Sequence, residues 1–224
     1  MRRRRLSPVT LRDILSDRLE PWELGLLFKA YDIIGDIAII RVPEPLKKRK
    51  EIIAEAILQI HKKVKTVLQQ TSPVSNEFRL RRLEWVAGEK KTETLYREYG
   101  CIFKVDLEKC YFSPRLSYER MRIAQGVQLG EVVVNMFAGA GCYSILIAKH
   151  AEARKVYSID LNPDAFRYML ENILLNKVQN QVVAIQGDAK DVIQHTLKSM
   201  VDRVLMPLPE RAYEYLDYAL LALK

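Results

Sequence analysis

The apolar positions of this chain change rhythm partway along it. Leu11, Ile14, Leu15 and Leu19 recur at helical spacing and predict a helix over 8–28. Residues 38–42 read as the second arm of a hairpin that turns at Gly35 and Asp36. Ile52, Ile53, Ala56, Ile57 and Ile60 form a helical stripe within 46–61, and Lys47, Lys48, Arg49 and Lys50 sit on its exposed start. A short strand is expected at 64–68. Residues 71–91 are polar and read as a surface loop that holds Arg79, Arg81 and Arg82 close together. Two strands, 92–99 and 101–112, hinge at Gly100. Pro114 then suits the first turn of a helix that runs to about Ala124.

After Gly130 strands and helices alternate. Val132, Val133 and Val134 predict a buried strand, followed by a small-residue turn over 137–141 and a helix to Lys149. A second strand, 155–159, ends in Asp160, and Pro163 opens a helix to Asn176. A third, 182–185, runs into Gly187 and Asp188; a fourth covers 202–206, with a helix over 210–223. This βαβ repetition predicts a parallel sheet with right-handed crossovers. The junction is expected near 126–131, which gives a smaller α+β domain at 1–126 and an α/β domain at 127–224.

Composition narrows the class. With 49% apolar and 29% charged residues in 224, the chain is globular, and disorder, collagen and coiled coil are excluded. The 36 basic and 28 acidic side chains are unevenly spread: 26 and 17 before residue 126, 10 and 11 after it. The excess lies on one half, as expected for a polyanionic partner. Cys101, Cys110 and Cys142 form no CxxC pair, which suits a reduced, cytosolic chain. His61, His150 and His195 lie far apart, so no metal is expected. Arg2 to Arg5 start like a signal peptide, but Asp13, Asp17, Arg18 and Glu20 break the stretch behind them, where an apolar segment would have to lie. The most apolar window, 132–148, is broken by Asn135, Gly139, Gly141 and Ser144 and falls short of the roughly 20 residues a membrane span needs. A cytoplasmic protein with no membrane partner is expected.

The chemistry concentrates at strand ends. Gly139-Ala140-Gly141 follows a strand and opens a helix, where ligands of open α/β sheets bind and helix amides are free. Asp160 stands 19 residues beyond Gly141 at the end of the next strand, placed to accept two ribose hydroxyls. The third glycine of a dinucleotide fingerprint is replaced by Ser144, and no Gly-Lys-Ser/Thr phosphate loop is present. Asp160 on the ribose and Asp188 on the adenine amino group therefore suit a cofactor with adenosine but no pyrophosphate. S-adenosylmethionine fits, and the reaction class becomes group transfer from its sulfonium.

Further blocks carry a family resemblance: the run from Glu77 through Arg79 to Glu84, Ala87-Gly88-Glu89, Tyr111-Phe112-Ser113-Pro114-Arg115-Leu116 with Glu119-Arg120, Asn135-Met136-Phe137-Ala138-Gly139, Asp160-Leu161-Asn162-Pro163 and Met206-Pro207-Leu208-Pro209. From about residue 8 to the end the chain resembles the archaeal and eukaryotic tRNA (guanine-N(1)) methyltransferases that act at position 37, beside the anticodon. The resemblance implies a Rossmann-like S-adenosylmethionine-dependent methyltransferase domain behind a smaller RNA-contacting domain, with tRNA, held near the anticodon stem, as partner. It departs from the family's usual pattern at Asn135, where Asp is usual, and at Pro207, where Asn is usual. The further amino-terminal domain of many members is expected to be absent.

Methylating guanine N1 requires removal of its proton and stabilisation of negative charge on the six-keto oxygen. The matching positions imply Glu119 as the base, Arg79 as the oxygen-stabilising cation and Pro207 as a carbonyl acceptor without an N–H. The competing reading for Glu119 is an ion pair with Arg115, Arg120 or Arg122 on its own helix. By the same resemblance Arg120 meets the cofactor carboxylate, Tyr111 stacks on or hydrogen-bonds cofactor or base, and Phe137, Ala138, Gly139, Gly141, Asp160, Leu161, Asp188, Ala189 and Pro207 surround the cofactor. The basic clusters 2–5, 47–50, 62–65 and 79–82 would follow the RNA backbone. Four strands after Gly130, where seven are usual, lead to the expectation of a carboxyl-terminally shortened sheet. Two alternatives stand beside methylation: aminocarboxypropyl transfer, as in the wybutosine-pathway sister group, and noncatalytic tRNA binding.

Overall fold

The computed structural model describes residues 10–28, 30–74 and 77–224, so the arginine run 2–5 lies outside the described residues. The chain divides into two units: residues 1–73 with 81–92, and residues 74–80 with 93–224.

The first unit contains α1 (Leu11–Leu15), α2 (Pro21–Leu26), β1 (Asp32–Ile34), β2 (Ile37–Ile40), α3 (Lys50–Ile60), β3 (Thr66–Gln70) and β4 (Leu83–Gly88). Its sheet runs β1-β2-β3-β4, with β2 and β3 parallel across the α3 crossover and the outer pairs antiparallel. Ile53, Ala54, Ala56 and Ile57 of α3 belong to one buried cluster with Ala38, Ile40, Val67 and Val86 of the sheet. The helix expected over 8–28 is two short ones. Thr10 and Asp13 close a capping box on α1, and Pro21 has to open a new helix because its ring cannot follow a preceding turn. The loop expected over 71–91 contains β4, an edge strand in which only Val86 is buried, so no alternation marks it in the sequence. Three of the four basic residues at 47–50 form ion pairs within the unit: Lys47 with Glu44 (2.7 Å), Arg49 with Glu23 (2.9 Å) and Lys50 with Glu84 (2.5 Å).

The second unit begins with a hairpin, β5 (Glu93–Glu98) and β6 (Cys101–Asp106), followed by α4 (Ser117–Gln125). Then come β7 (Val132–Asn135), α5 (Cys142–His150), β8 (Lys155–Asp160), α6 (Pro163–Leu175), β9 (Val182–Gln186), α7 (Ala189–Val192), β10 (Arg203–Leu205) and α8 (Ala212–Ala222). The sheet is wholly parallel in the order β10-β7-β8-β9. Burial of all four β7 residues follows from helices covering both faces of such a sheet.

The junction expected at 126 is corrected to 92/93. The hairpin and α4 belong with the parallel sheet: α6 hydrogen-bonds the β6 backbone, and α4 packs on α5. The charge step near 126 reports surface composition, whereas the boundary follows the buried contacts. Divided at the observed boundary, the sequence carries 19 basic and 11 acidic side chains in the first unit and 17 of each in the second. The whole excess lies in the first unit.

Candidate functional site

β7, β8 and β9 step across the sheet in one direction, and β10 lies on the other side of β7. The crossovers therefore diverge beyond the carboxyl ends of β7 and β10, the place where open α/β sheets bind ligands. A cavity of about 130 Å³ occupies this point, within the second unit.

After β7 the chain turns through Gly139 (φ 56°) and Gly141 (φ 86°) into α5. A Cβ at Gly141 would stand 3.0 Å from Met169 Cγ and 3.3 Å from Ile145 Cδ1, so glycine lets the turn sit against α6. Gly139 lines the cavity; Gly141 does not, and its part is to shape the turn. Asp160, at the end of β8, accepts the Gly139 N–H on Oδ2 (2.6 Å) and the Asn162 N–H on Oδ1 (2.9 Å). Burial pushes its carboxyl above the ordinary aspartate value, and the two amides oppose that shift. Asp188 accepts the Lys190 N–H (2.9 Å) and the Tyr215 hydroxyl (3.2 Å). Both carboxylates line the cavity, and each is held by fixed donors while keeping acceptor capacity.

Phe137, Ala138, Leu161, Ala189 and Pro207 also line the cavity. Asn135 lies fully buried behind them, donating to Ser144 Oγ (3.2 Å) and accepting the Phe137 N–H (3.4 Å). A neutral amide meets both partners there with no counter-ion.

Also in the lining, the Arg79 guanidinium lies 4.4 Å from the Tyr111 ring centroid and pairs with Glu210 at 3.1 Å. Arg120 borders the cavity, but its fork is engaged. Nε and Nη2 donate to the two Glu98 oxygens (2.6 and 2.7 Å), and Nη1 donates to the Ser113 carbonyl (3.2 Å). The group expected to meet a cofactor carboxylate is thus filled by Glu98, a residue the sequence reading passed over. Glu119 is not among the cavity-lining residues. It makes a two-bond pair with Arg122 (both 2.7 Å), which holds its carboxyl below the usual glutamate value.

The sequence reading also missed Tyr215, Arg211, Tyr143 and Glu77 in the lining. Tyr215 had a signal: with Ala219 and Ala222 it marks the buried stripe of α8. Its ring meets Phe137 edge-on at 4.9 Å, and burial, with the Asp188 charge, pushes its hydroxyl up to about 12. Among the described residues no cluster of three His, Cys, Asp or Glu groups is arranged to hold a metal, and no helix is long and apolar enough to cross a membrane.

Strand order, the glycine turn and an acid at the end of the second parallel strand define a Rossmann-like unit of the S-adenosylmethionine-dependent methyltransferase class. Residues 94–224 match the TRM5/TYW2 methyltransferase domain and residues 11–92 the TYW2 N-terminal domain, which meet at the observed boundary; the chain belongs to the TRM5/TYW2 family. It is 48% identical over 214 residues to the tRNA (guanine(37)-N(1))-methyltransferase Trm5b of Pyrococcus abyssi, covering 95% of this chain and 62% of that protein. The chain thus spans about three-fifths of that relative's length. Among solved structures it matches aTrm5 in its complex with tRNALeu at 36% identity and a TM-score of 0.86, covering 98% of this chain and 64% of that one. It also matches Pyrococcus horikoshii TYW2 in complex with MeSAdo at 34% identity and a TM-score of 0.78, covering 96% and 75%.

Proposed function

We propose that this chain binds S-adenosylmethionine in the strand-end cavity of its second unit and methylates N1 of guanosine-37 in tRNA. One observation carries the reading: Asp160 and Arg79 line a single cavity, so a ribose anchor and a cation for a developing oxyanion share one space. The residues present fit an adenosyl group, since Asp160 and Asp188 are pinned acceptors and a Cβ at Gly139 would meet nothing nearer than the Tyr111 carbonyl at 3.9 Å. The bound cofactor supplies an electrophilic methyl on sulfur. The names of the Trm5b and TYW2 relatives, which act on tRNA or are complexed with MeSAdo, support the same assignment.

In this reading Arg79 leaves Glu210 to meet the six-keto oxygen, and stacking on Tyr111 keeps its plane fixed meanwhile. Glu119 takes the N1 proton. That role requires its release from Arg122, because a carboxylate held low by a guanidinium is a weak base. Pro207, a residue of the cavity lining, has no N–H to donate, so its backbone can serve only as an acceptor. The tRNA is drawn by the basic first unit, so binding weakens as salt rises.

The match of 11–92 to the TYW2 N-terminal domain favours a second reading, aminocarboxypropyl transfer. Single-turnover reactions with S-adenosylmethionine labelled in the methyl or in the carboxyl group separate the two. Methylation moves only the methyl label onto a transcript with guanosine at position 37 and leaves one with adenosine there unlabelled. Carboxyl label on tRNA bearing 4-demethylwyosine at position 37, the acceptor named for the aminocarboxypropyltransferase relative, with no methyl label on the guanosine transcript, would overturn methylation in favour of the second reading. No transfer of either label to either substrate would leave the noncatalytic one.

A further inference from the structure

Two asparagines one turn apart, Asn172 on α6 and Asn176 at its carboxyl cap, are 0% and 4% exposed. Each treats one residue of β6 as a neighbouring strand would. Asn172 Oδ1 accepts the Lys104 N–H (2.7 Å), and its Nδ2 donates to the Lys104 carbonyl (3.0 Å). Asn176 repeats the pattern on Ile102, at 2.9 and 2.6 Å. The spacing works because four helical residues rise about 6 Å and two strand residues about 6.7 Å. Since β5 occupies the other edge of β6, the helix supplies a third partner to a hairpin that alone would be marginal.

The two amides differ in where the spare N–H goes. Asn176 returns it to the Asn172 carbonyl (2.7 Å), whereas Asn172 sends it to the Ala140 carbonyl in the glycine turn (3.0 Å). The same peptide unit donates its Gly141 N–H to the Ala138 carbonyl (2.9 Å), and the neighbouring Gly139 N–H reaches Asp160. The geometry points to Asn172 as a positioning residue for the cofactor turn: it locks the Ala140–Gly141 peptide to the hairpin whose Glu98 holds Arg120. The effect on cofactor affinity rests on the reading of the cavity as the adenosyl site; the lock itself does not.

Asn176 is the built-in control, since it docks the same hairpin without touching the turn. Asn172→Ala and Asn176→Ala should lower thermal stability comparably and speed amide exchange at Lys104 and Ile102 respectively. Only Asn172→Ala should also speed exchange across Gly139–Cys142 and weaken S-adenosylhomocysteine binding, measured by calorimetry, about tenfold, the worth of one buried hydrogen bond. Asn176→Ala should stay within about twofold. If Asn172→Ala fails to fold, Asn172→Ser serves in its place. Unchanged exchange in the turn, or equal affinity losses in both variants, would overturn the proposal. A wild-type chain that binds no S-adenosylhomocysteine would sink the cofactor reading, and the exchange comparison would still decide the lock.

Discussion

Replacing Glu98 by Gln tests how the buried ion pair beside the cavity works. Glu98 and Arg120 side chains are each 3% exposed, and three guanidinium donors are spent on Glu98 and Ser113. Gln keeps the shape but removes the counter-charge and one of the two acceptors, which sets an amide N–H against a buried guanidinium. Breaking such a pair from one side costs about 3–5 kcal/mol. The same helix provides the comparison. Glu119 and Arg122 make an equally short two-bond pair, but at 42% and 57% exposure it contributes only about 0.2–1 kcal/mol. Urea unfolding of both single and double variants gives the coupling energy of each pair. The buried pair should exceed the exposed one several-fold, and Glu98→Leu with Arg120→Met should recover most of the stability. A Glu98→Gln loss under about 1 kcal/mol, or equal couplings, would refute the assignment of Arg120 to the structural frame.

Other perturbations bear on the turn and on pH. Gly141→Ala, forced into left-handed backbone and against Met169, should lose about 1–2 kcal/mol in thermal or chemical unfolding. Gly139→Val also carries that backbone strain, but its side chain enters the cavity, so calorimetry should show cofactor binding abolished in a folded protein. Glu214 is held down to about 2 by hydrogen bonds from Arg211 and Lys190. A depressed carboxyl stabilises above its ordinary range, and the benefit disappears as pH falls toward the folded value. Acid should therefore lower the unfolding temperature of the wild type more steeply than that of Glu214→Gln. If Glu119 is the base, Arg122→Gln lifts its carboxyl and should move the acidic limb of the single-turnover pH profile upward, with an unmoved limb arguing for another base.

The parallel sheet was legible in the sequence because β7, β8 and β9 are apolar runs that end in Asn135, Asp160 and Gln186 beside turn residues. Asp160 and Gly139 were legible through their spacing, which a strand-turn-helix imposes. Apart from Tyr215, the features that escaped notice lack a local signal. β4 is an edge strand with one buried residue, and Glu98 looks like any exposed strand carboxylate until Arg120 meets it across 22 positions. The boundary at 92/93 was hidden because Asn172 and Asn176 tie α6 to β6 over 68 and 74 residues, a long-range pairing no window along the chain contains. Segment 74–80, which carries Arg79, joins the second unit although first-unit segments flank it on both sides.

The cofactor site stands most directly on Asp160. Calorimetric titration with S-adenosylmethionine should show one site per chain, weakened about 10–100-fold by Asp160→Asn, the range for hydrogen bonds to a charged acceptor. Binding that is absent in the wild type, or that survives Asp160→Asn unchanged, would contradict that assignment.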